Sequence, residues 1–142
     1  LGAGSGSVAI EWLLSGPAMQ ATAVEQNPDR AASIAVNAAN LGVDWLQILH
    51  TDNLSALEQL GSPDAVFIGG GLRDDLLRQL WDRLPAGVRL VANGVTYEGS
   101  VDILRRHSNP YKFDANRDKT IHGGSNFSDN KNIFFCVFYI HE

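Results

Sequence analysis

Cysteine is nearly missing from this chain of 142 residues: Cys136 is the only one, so no intrachain disulfide can form. Stability must come from burial, and a reducing cytoplasm is the natural compartment. Cations are also scarce. Eleven Lys and Arg stand against sixteen Asp and Glu, a formal net charge of -5. That balance argues against a nucleic-acid partner, which would need clustered basic residues to displace counterions from phosphates. No apolar run is long enough to span a bilayer, so no membrane partner is expected. His50, His107, His122 and His141 lack metal-ligand spacing and have no partner cysteines, so no metal site is expected either. What remains is a chain with 44% hydrophobic residues, enough for one domain with a real core.

Glycine, by contrast, is concentrated at the start. Leu1-Gly2-Ala3-Gly4-Ser5-Gly6-Ser7 has the form of a loop that cradles a nucleotide-type cofactor and its phosphates, and Glu25 follows at the end of the next apolar run. Glycines let backbone approach a ligand closely, and a carboxylate about 20 residues on can accept hydrogen bonds from ribose hydroxyls.

Beyond the loop, strand and helix patterns alternate. Val8, Ala9, Trp12 and Leu13 fall at helical spacing, and Ala21 to Val24 reads as a buried parallel strand. Asn27-Pro28-Asp29 is a helix start, with a capping Asn, a Pro suited to the first helical position and an acid at the positive end of the dipole. An apolar segment from Trp45 to Leu49 predicts a strand, and Leu54, Leu57 and Leu60 predict a short helix up to Gly61. Ala65 to Ile68 is a further strand, closed by Gly69-Gly70-Gly71. A helix on Leu72 to Leu84, a strand on Val88 to Ala92 and a helix on Tyr97 to His107 complete the series. Trp12, Trp45 and Trp81 sit on apolar stripes and are expected in the core. The fold class is therefore α/β, a Rossmann-like doubly wound, mostly parallel sheet. Ligands in such sheets sit outside the carboxyl ends of the strands, where the glycine loop, Glu25, Asp52, Gly69 to Gly71 and Asn93 all fall. Asp52 is open to a second role, as the cap of the helix that begins at Asn53. Arg73 directly follows the glycine turn and is the best placed of the arginines to meet substrate carboxylates.

The glycine spacing, G-x-G-x-G, differs from the dinucleotide fingerprint, which would put its third small residue at Ser7. It resembles the first motif of the S-adenosylmethionine-dependent methyltransferases of the Rossmann-like class. Together with Glu25-Gln26-Asn27-Pro28, Asn37-Ala38-Ala39-Asn40-Leu41-Gly42, Phe67-Ile68-Gly69-Gly70-Gly71 and Val91-Ala92-Asn93-Gly94-Val95-Thr96, it resembles the decarboxylating precorrin methyltransferases of the cobalamin pathway. The similarity is to their C-terminal, C15-methylating module and covers Gly2 to about His107. This resemblance implies S-adenosyl-L-methionine as cofactor, bound by Gly2, Ala3, Gly4, Gly6, Glu25, Gln26, Asp52 and Gly69. Glu25 would take the ribose hydroxyls and Asp52 the adenine amino group. It further implies a tetrapyrrole (precorrin) substrate near Gly70, Gly71, Arg73 and Asn93, a homo-oligomer, and methylation at C15 with loss of carbon dioxide from the ring C acetate. No catalytic acid for the decarboxylation is identifiable.

Two departures accompany the resemblance. A loop of this kind normally follows a buried strand, and only Leu1 precedes the glycines, so the chain reads as lacking most of a first, central strand. From Asn109 the composition turns polar and asparagine-rich, with a shifted reading frame or a joined fragment as one explanation. The expected organisation is a methyltransferase domain over 1–108 and an atypical tail over 109–142, with a final strand at 133–140. Three alternatives stay open: a methyltransferase acting on another small molecule or RNA, a non-catalytic remnant, and an NAD-binding oxidoreductase domain.

Overall fold

The glycine loop runs straight into helix α1 (Ser7–Leu14), which buries Ile10 and Leu13 and leaves Trp12 exposed. In the computed structural model, residues 1–85, 88–94, 123–126 and 132–137 are described, and they divide into two units, Leu1–Leu60 and Gly61–Glu142. After α1 the first unit continues through β1 (Thr22–Glu25), α2 (Pro28–Asn40), β2 (Gln47–His50) and α3 (Asn53–Ala56). The two strands are parallel, in register from Thr22 opposite Gln47 to Glu25 opposite His50. A parallel pair needs a long crossover, which α2 supplies.

Helix α2 begins as its sequence dictates. The Asn27 side chain accepts a hydrogen bond from the Arg30 N–H, Pro28 occupies the first turn and Asp29 lies at the positive end of the dipole. Its buried stripe is Ala31, Ile34 and Ala38. Two small residues flanking one large one let the helix lie close to its neighbours. Ile34 is completely enclosed, in a core with Ile10, Leu13, Ala23, Ala38, Val43 and Leu46. Burying a side chain of that size contributes about 1.5–3 kcal/mol.

The second unit contains β3 (Ala65–Ile68), α4 (Asp74–Arg83), β4 (Arg89–Gly94), β5 (Gly123–Asn126) and β6 (Asn132–Val137). Its sheet has the order β3-β4-β6-β5, with β3, β4 and β6 parallel and β5 antiparallel to β6. Strand β4 is flanked on both edges, and accordingly Leu90 and Ala92 are buried. Helix α4 buries Leu76, Leu77 and Leu80, and its charges suit its dipole, Asp74 and Asp75 in the first turn and Arg83 in the last.

Several elements differ from expectation. Trp12 and Trp45 lie at the surface, Trp45 with 59% of its area exposed. Helix α1 turns a narrow face inward, and Trp12 lies about 100° around the helix from Leu13. Trp45 belongs to a turn closed by the Leu46 N–H donating to the Val43 carbonyl, so β2 starts only at Gln47, and Val43 and Leu46 go inward instead. Helix α3 stops at Ala56; beyond it the hydrogen bonds tighten, Leu57 N–H to the Leu54 carbonyl and Gln59 N–H to the Ala56 carbonyl. Strand β5 carries Gly-Gly-Ser-Asn, a sequence of low strand propensity, and exists through its pairing with β6. The helix expected on Tyr97 to His107 and the Trp81 side chain lie outside the described residues. Among the described residues no helix is long and apolar enough to cross a membrane.

Candidate cofactor and substrate site

The glycine loop is held by hydrogen bonds to β1, α2 and α3 and by one within itself. Gly2 N–H donates to Asn53 Oδ1 at 3.0 Å, Ala3 N–H to the Val24 carbonyl at 2.9 Å, and Gly4 N–H to Glu25 Oε2 at 2.8 Å. Gly6 N–H closes the turn onto the Ala3 carbonyl at 2.9 Å, and Asn37 Nδ2 on α2 donates to the Ser5 carbonyl at 3.0 Å. The loop therefore lies along the edge of β1 and is fastened to both adjoining helices. Its N–H groups at Gly2, Ala3, Gly4 and Gly6 are already committed. A loop that cradles phosphate needs such groups free to point at the anion. Those four groups are therefore not available to an anion, and a ligand at the loop would approach its backbone without depending on them.

Gly4 and Gly6 have different reasons for being glycine. Both have positive φ, 60° and 81°. A Cβ on Gly6 would stand 2.7 Å from Ile34 Cγ2, so this glycine lets α1 begin against the core. A Cβ on Gly4 would meet no heavy atom within 4 Å. Open space beside a loop glycine that bonds Glu25 is where a ligand would come nearest.

Glu25 is the one charged residue buried among the described residues, with 3% of its area exposed. It ends β1, whose last three residues are buried, so the strand carries the carboxylate under the loop. Oε2 accepts from Gly4 N–H and Oε1 from Asn27 N–H at 3.0 Å. A carboxylate offers about four acceptor sites. Two are used, and one further site on each oxygen suits the two hydroxyls of a ribose-like diol.

At the end of β2, Asp52 caps α3. Its Oδ1 accepts from the Leu54 and Ser55 N–H groups, both at 3.0 Å, and its Oδ2 from the Ser55 hydroxyl at 2.5 Å. The Ser55 hydroxyl, followed by the Ser55 backbone N–H, holds the Asp52 carboxyl below its ordinary value. The capping role is therefore present. The residue that reaches the loop from here is the next one, Asn53, which sequence reasoning missed. Gln26 lies beside Glu25 with its backbone carbonyl 3.2 Å from His50 Nε2.

Gly69, Gly70, Gly71, Arg73 and Asn93 belong to the second unit, at the carboxyl ends of β3 and β4. Arg73 pairs with Asp75, Nε to Oδ1 at 3.1 Å and Nη2 to Oδ2 at 2.5 Å, and stays largely exposed. Arg73 is the main cause of the lowered Asp75 carboxyl. Among the described residues no group of three His, Cys, Asp or Glu side chains is positioned to hold a metal ion.

Known proteins resemble this chain in sequence and fold. A family model described as the precorrin methyltransferase domain matches residues 1–113. The precorrin-6Y C(5,15)-methyltransferase [decarboxylating] of Sinorhizobium sp is 43% identical over 109 residues, 76% of this chain and 26% of that protein. The cobalt-precorrin-6B C(15)-methyltransferase (decarboxylating) of Salmonella typhimurium is 34% identical over 100 residues, 69% of this chain and 51% of its own length. The chain thus spans about a quarter to a half of the curated relatives it matches. The crystal structure of the C-terminal domain of precorrin-6Y C5,15-methyltransferase from Rhodobacter capsulatus superposes with a TM-score of 0.68 at 33% identity, covering 89% of this chain and 67% of that one. The fold is accordingly the Rossmann-like methyltransferase fold. With a family model matched from the first glycine loop past β4, the chain belongs to the precorrin methyltransferase domain family.

Proposed function

We propose that this chain is the cofactor-binding and methylating module of a decarboxylating precorrin methyltransferase, acting at C15 of the macrocycle with loss of the ring C acetate carboxyl as carbon dioxide. The observation that carries the cofactor is the paired state of the loop. Its N–H groups at Gly2, Ala3, Gly4 and Gly6 are bonded within the protein, while Glu25 keeps acceptor capacity on both oxygens. That combination favours an adenosine-type ligand without phosphate over a dinucleotide. S-adenosylmethionine fits, and when bound it supplies a methyl group already activated on a sulfonium.

The chain's residues then have mainly positioning work to do, because neither a covalent nucleophile nor a metal is needed for this transfer. Glu25 accepts from the ribose hydroxyls, the open side of Gly4 admits the cofactor close to the backbone, and Asp52 lies at the end of β2, toward the adenine. Its Oδ2 retains acceptor capacity beside the Ser55 hydroxyl. In the second unit Gly69, Gly70, Gly71 and Arg73 follow β3, and we assign Gly69 to the cofactor and the other three to the substrate.

Calorimetric titration with S-adenosylhomocysteine, with NAD in parallel, tests this function. Selective binding of S-adenosylhomocysteine that is lost in Glu25→Ala is the expected result. Binding of NAD instead would overturn the cofactor assignment. Cofactor binding without methylation of any precorrin would overturn the reaction.

A further inference from the structure

Strand β4 lies between β3 and β6, and Asn93 is its penultimate residue. The Asn93 side-chain oxygen Oδ1 is buried without a hydrogen-bond partner, the only buried side-chain N or O atom in that condition among the described residues. A buried acceptor left unmade destabilises the fold, whereas an apolar group of the same shape costs nothing of the kind. Leu90 and Ala92 are buried on the other face of this strand, and Asn93 shares its face with the part-buried Val91 and the exposed Arg89. On β3 no side chain stands level with Asn93, and on β6 its register partner is Cys136. Ile68 pairs with Ala92, and the next residue on β3 is Gly69. The position is also at the carboxyl end of a central parallel strand, where ligands of such sheets bind.

We infer that Asn93 orients the substrate of the proposed reaction, its Oδ1 accepting a hydrogen bond from a ring N–H of the tetrapyrrole. This rests on the function proposed above. An acceptor-only atom selects a donor and repels carboxylates, which are acceptors when ionised. The peripheral acids of a precorrin are therefore excluded as its partner, and the ring N–H groups are the donors left. On the cofactor side, the ribose hydroxyls are assigned to Glu25 and the adenine amino group to Asp52.

The experiment compares Asn93→Leu and Asn93→Asp in the full chain, with three readouts: ligand-free melting temperature, S-adenosylhomocysteine affinity, and kcat and KM for precorrin methylation. Leu nearly matches Asn in shape and removes the unmade acceptor, so Asn93→Leu melts at or above the wild-type temperature. Its S-adenosylhomocysteine affinity stays within about twofold while kcat/KM for the precorrin falls by about tenfold or more, the loss of one good hydrogen bond. Asn93→Asp keeps an acceptor in place and recovers most of that loss. A lowered melting temperature with a parallel loss of activity, unrescued by Asp, would make Asn93 structural and overturn the inference. A fall in S-adenosylhomocysteine affinity would assign the donor to the cofactor's amino group instead. If the wild type methylates precorrin and Asn93→Leu does so equally well, this inference alone fails. If the wild type binds cofactor but methylates no precorrin, the proposed function fails and takes the inference with it.

Discussion

Replacing Glu25 by Gln is usually thought conservative, and here the geometry makes it severe. The carboxylate receives two backbone donors on different oxygens, Gly4 N–H at 2.8 Å and Asn27 N–H at 3.0 Å. A Gln amide has one carbonyl oxygen and one NH2, so either orientation sets the NH2 against one of those N–H groups. One charge-assisted bond, worth about 1.5–3 kcal/mol, is lost, and the other falls to the neutral value of about 1 kcal/mol. Relief from burying a charge offsets part of this, leaving a destabilisation of about 2 kcal/mol. The same substitution takes away one of the two acceptor sites left for the ribose diol, so affinity for S-adenosylhomocysteine falls by about tenfold to a hundredfold. Urea denaturation measures the first effect and calorimetric titration the second. Glu11→Gln, an exposed carboxylate on α1, serves as the control and stays within about 0.5 kcal/mol of wild type. Stability of Glu25→Gln within about 0.5 kcal/mol of wild type, with unchanged cofactor affinity, would refute the pairing and the ribose role together.

Gly6→Ala meets both a positive φ and the enclosed Ile34 side chain, and should cost about 2–5 kcal/mol. Gly4→Ala has the φ penalty alone, about 1–2 kcal/mol, yet puts its methyl in the open space beside the loop and should cost more in S-adenosylhomocysteine binding than in stability. Equal denaturation midpoints for the two would count against this division. Asn53→Leu removes the acceptor for Gly2 N–H and should weaken S-adenosylhomocysteine binding by about tenfold, with Asn53→Asp restoring it; an unaffected Leu variant would show that this anchor does not shape the site. The Asp52 carboxyl lies below its ordinary value of 3.8 in the folded chain, so the unfolded chain binds more protons in the acid range. Its contribution is complete above that ordinary value and is lost as pH falls through the lower folded one. Asp52→Asn should therefore flatten the acid limb of a stability profile measured from pH 5 downward, and an unchanged slope would argue against the cap.

What could be read from the residues was whatever is local. The Asn27-Pro28-Asp29 start of α2 depends on a cap, a fixed φ and a dipole, all within one turn, and the structure forms it as expected. Glu25 was legible because a glycine loop and an acid about 20 residues on are linked by one strand–helix repeat. Asn53 was not, since its bond to Gly2 spans 51 positions and depends on how β2 delivers α3 to the loop. Nor was β5, where Gly-Gly-Ser-Asn becomes a strand through a partner rather than through propensity. Trp12 and Trp45 misled because apolar periodicity marks a stripe without saying how wide the buried part is.

The committed loop also bears on how the site works. In a phosphate-binding loop the ligand completes the hydrogen bonding of the backbone, so shape and affinity are acquired together. Here the donors of Gly2, Ala3 and Gly4 are satisfied by Asn53, Val24 and Glu25 before any ligand arrives. The loop need not be ordered by its cofactor, and binding does not bear that entropic cost. Glu25 is what joins the two roles in our proposal, holding the loop with one acceptor site of each oxygen and keeping the other for the ribose. Stability and cofactor affinity must therefore fall together when Glu25 is changed, yet they separate at Gly4 and Asn53, which shape the loop without lying in the core. A set of variants that moved both quantities in proportion at all three positions would mean that the loop is ordered by its ligand after all.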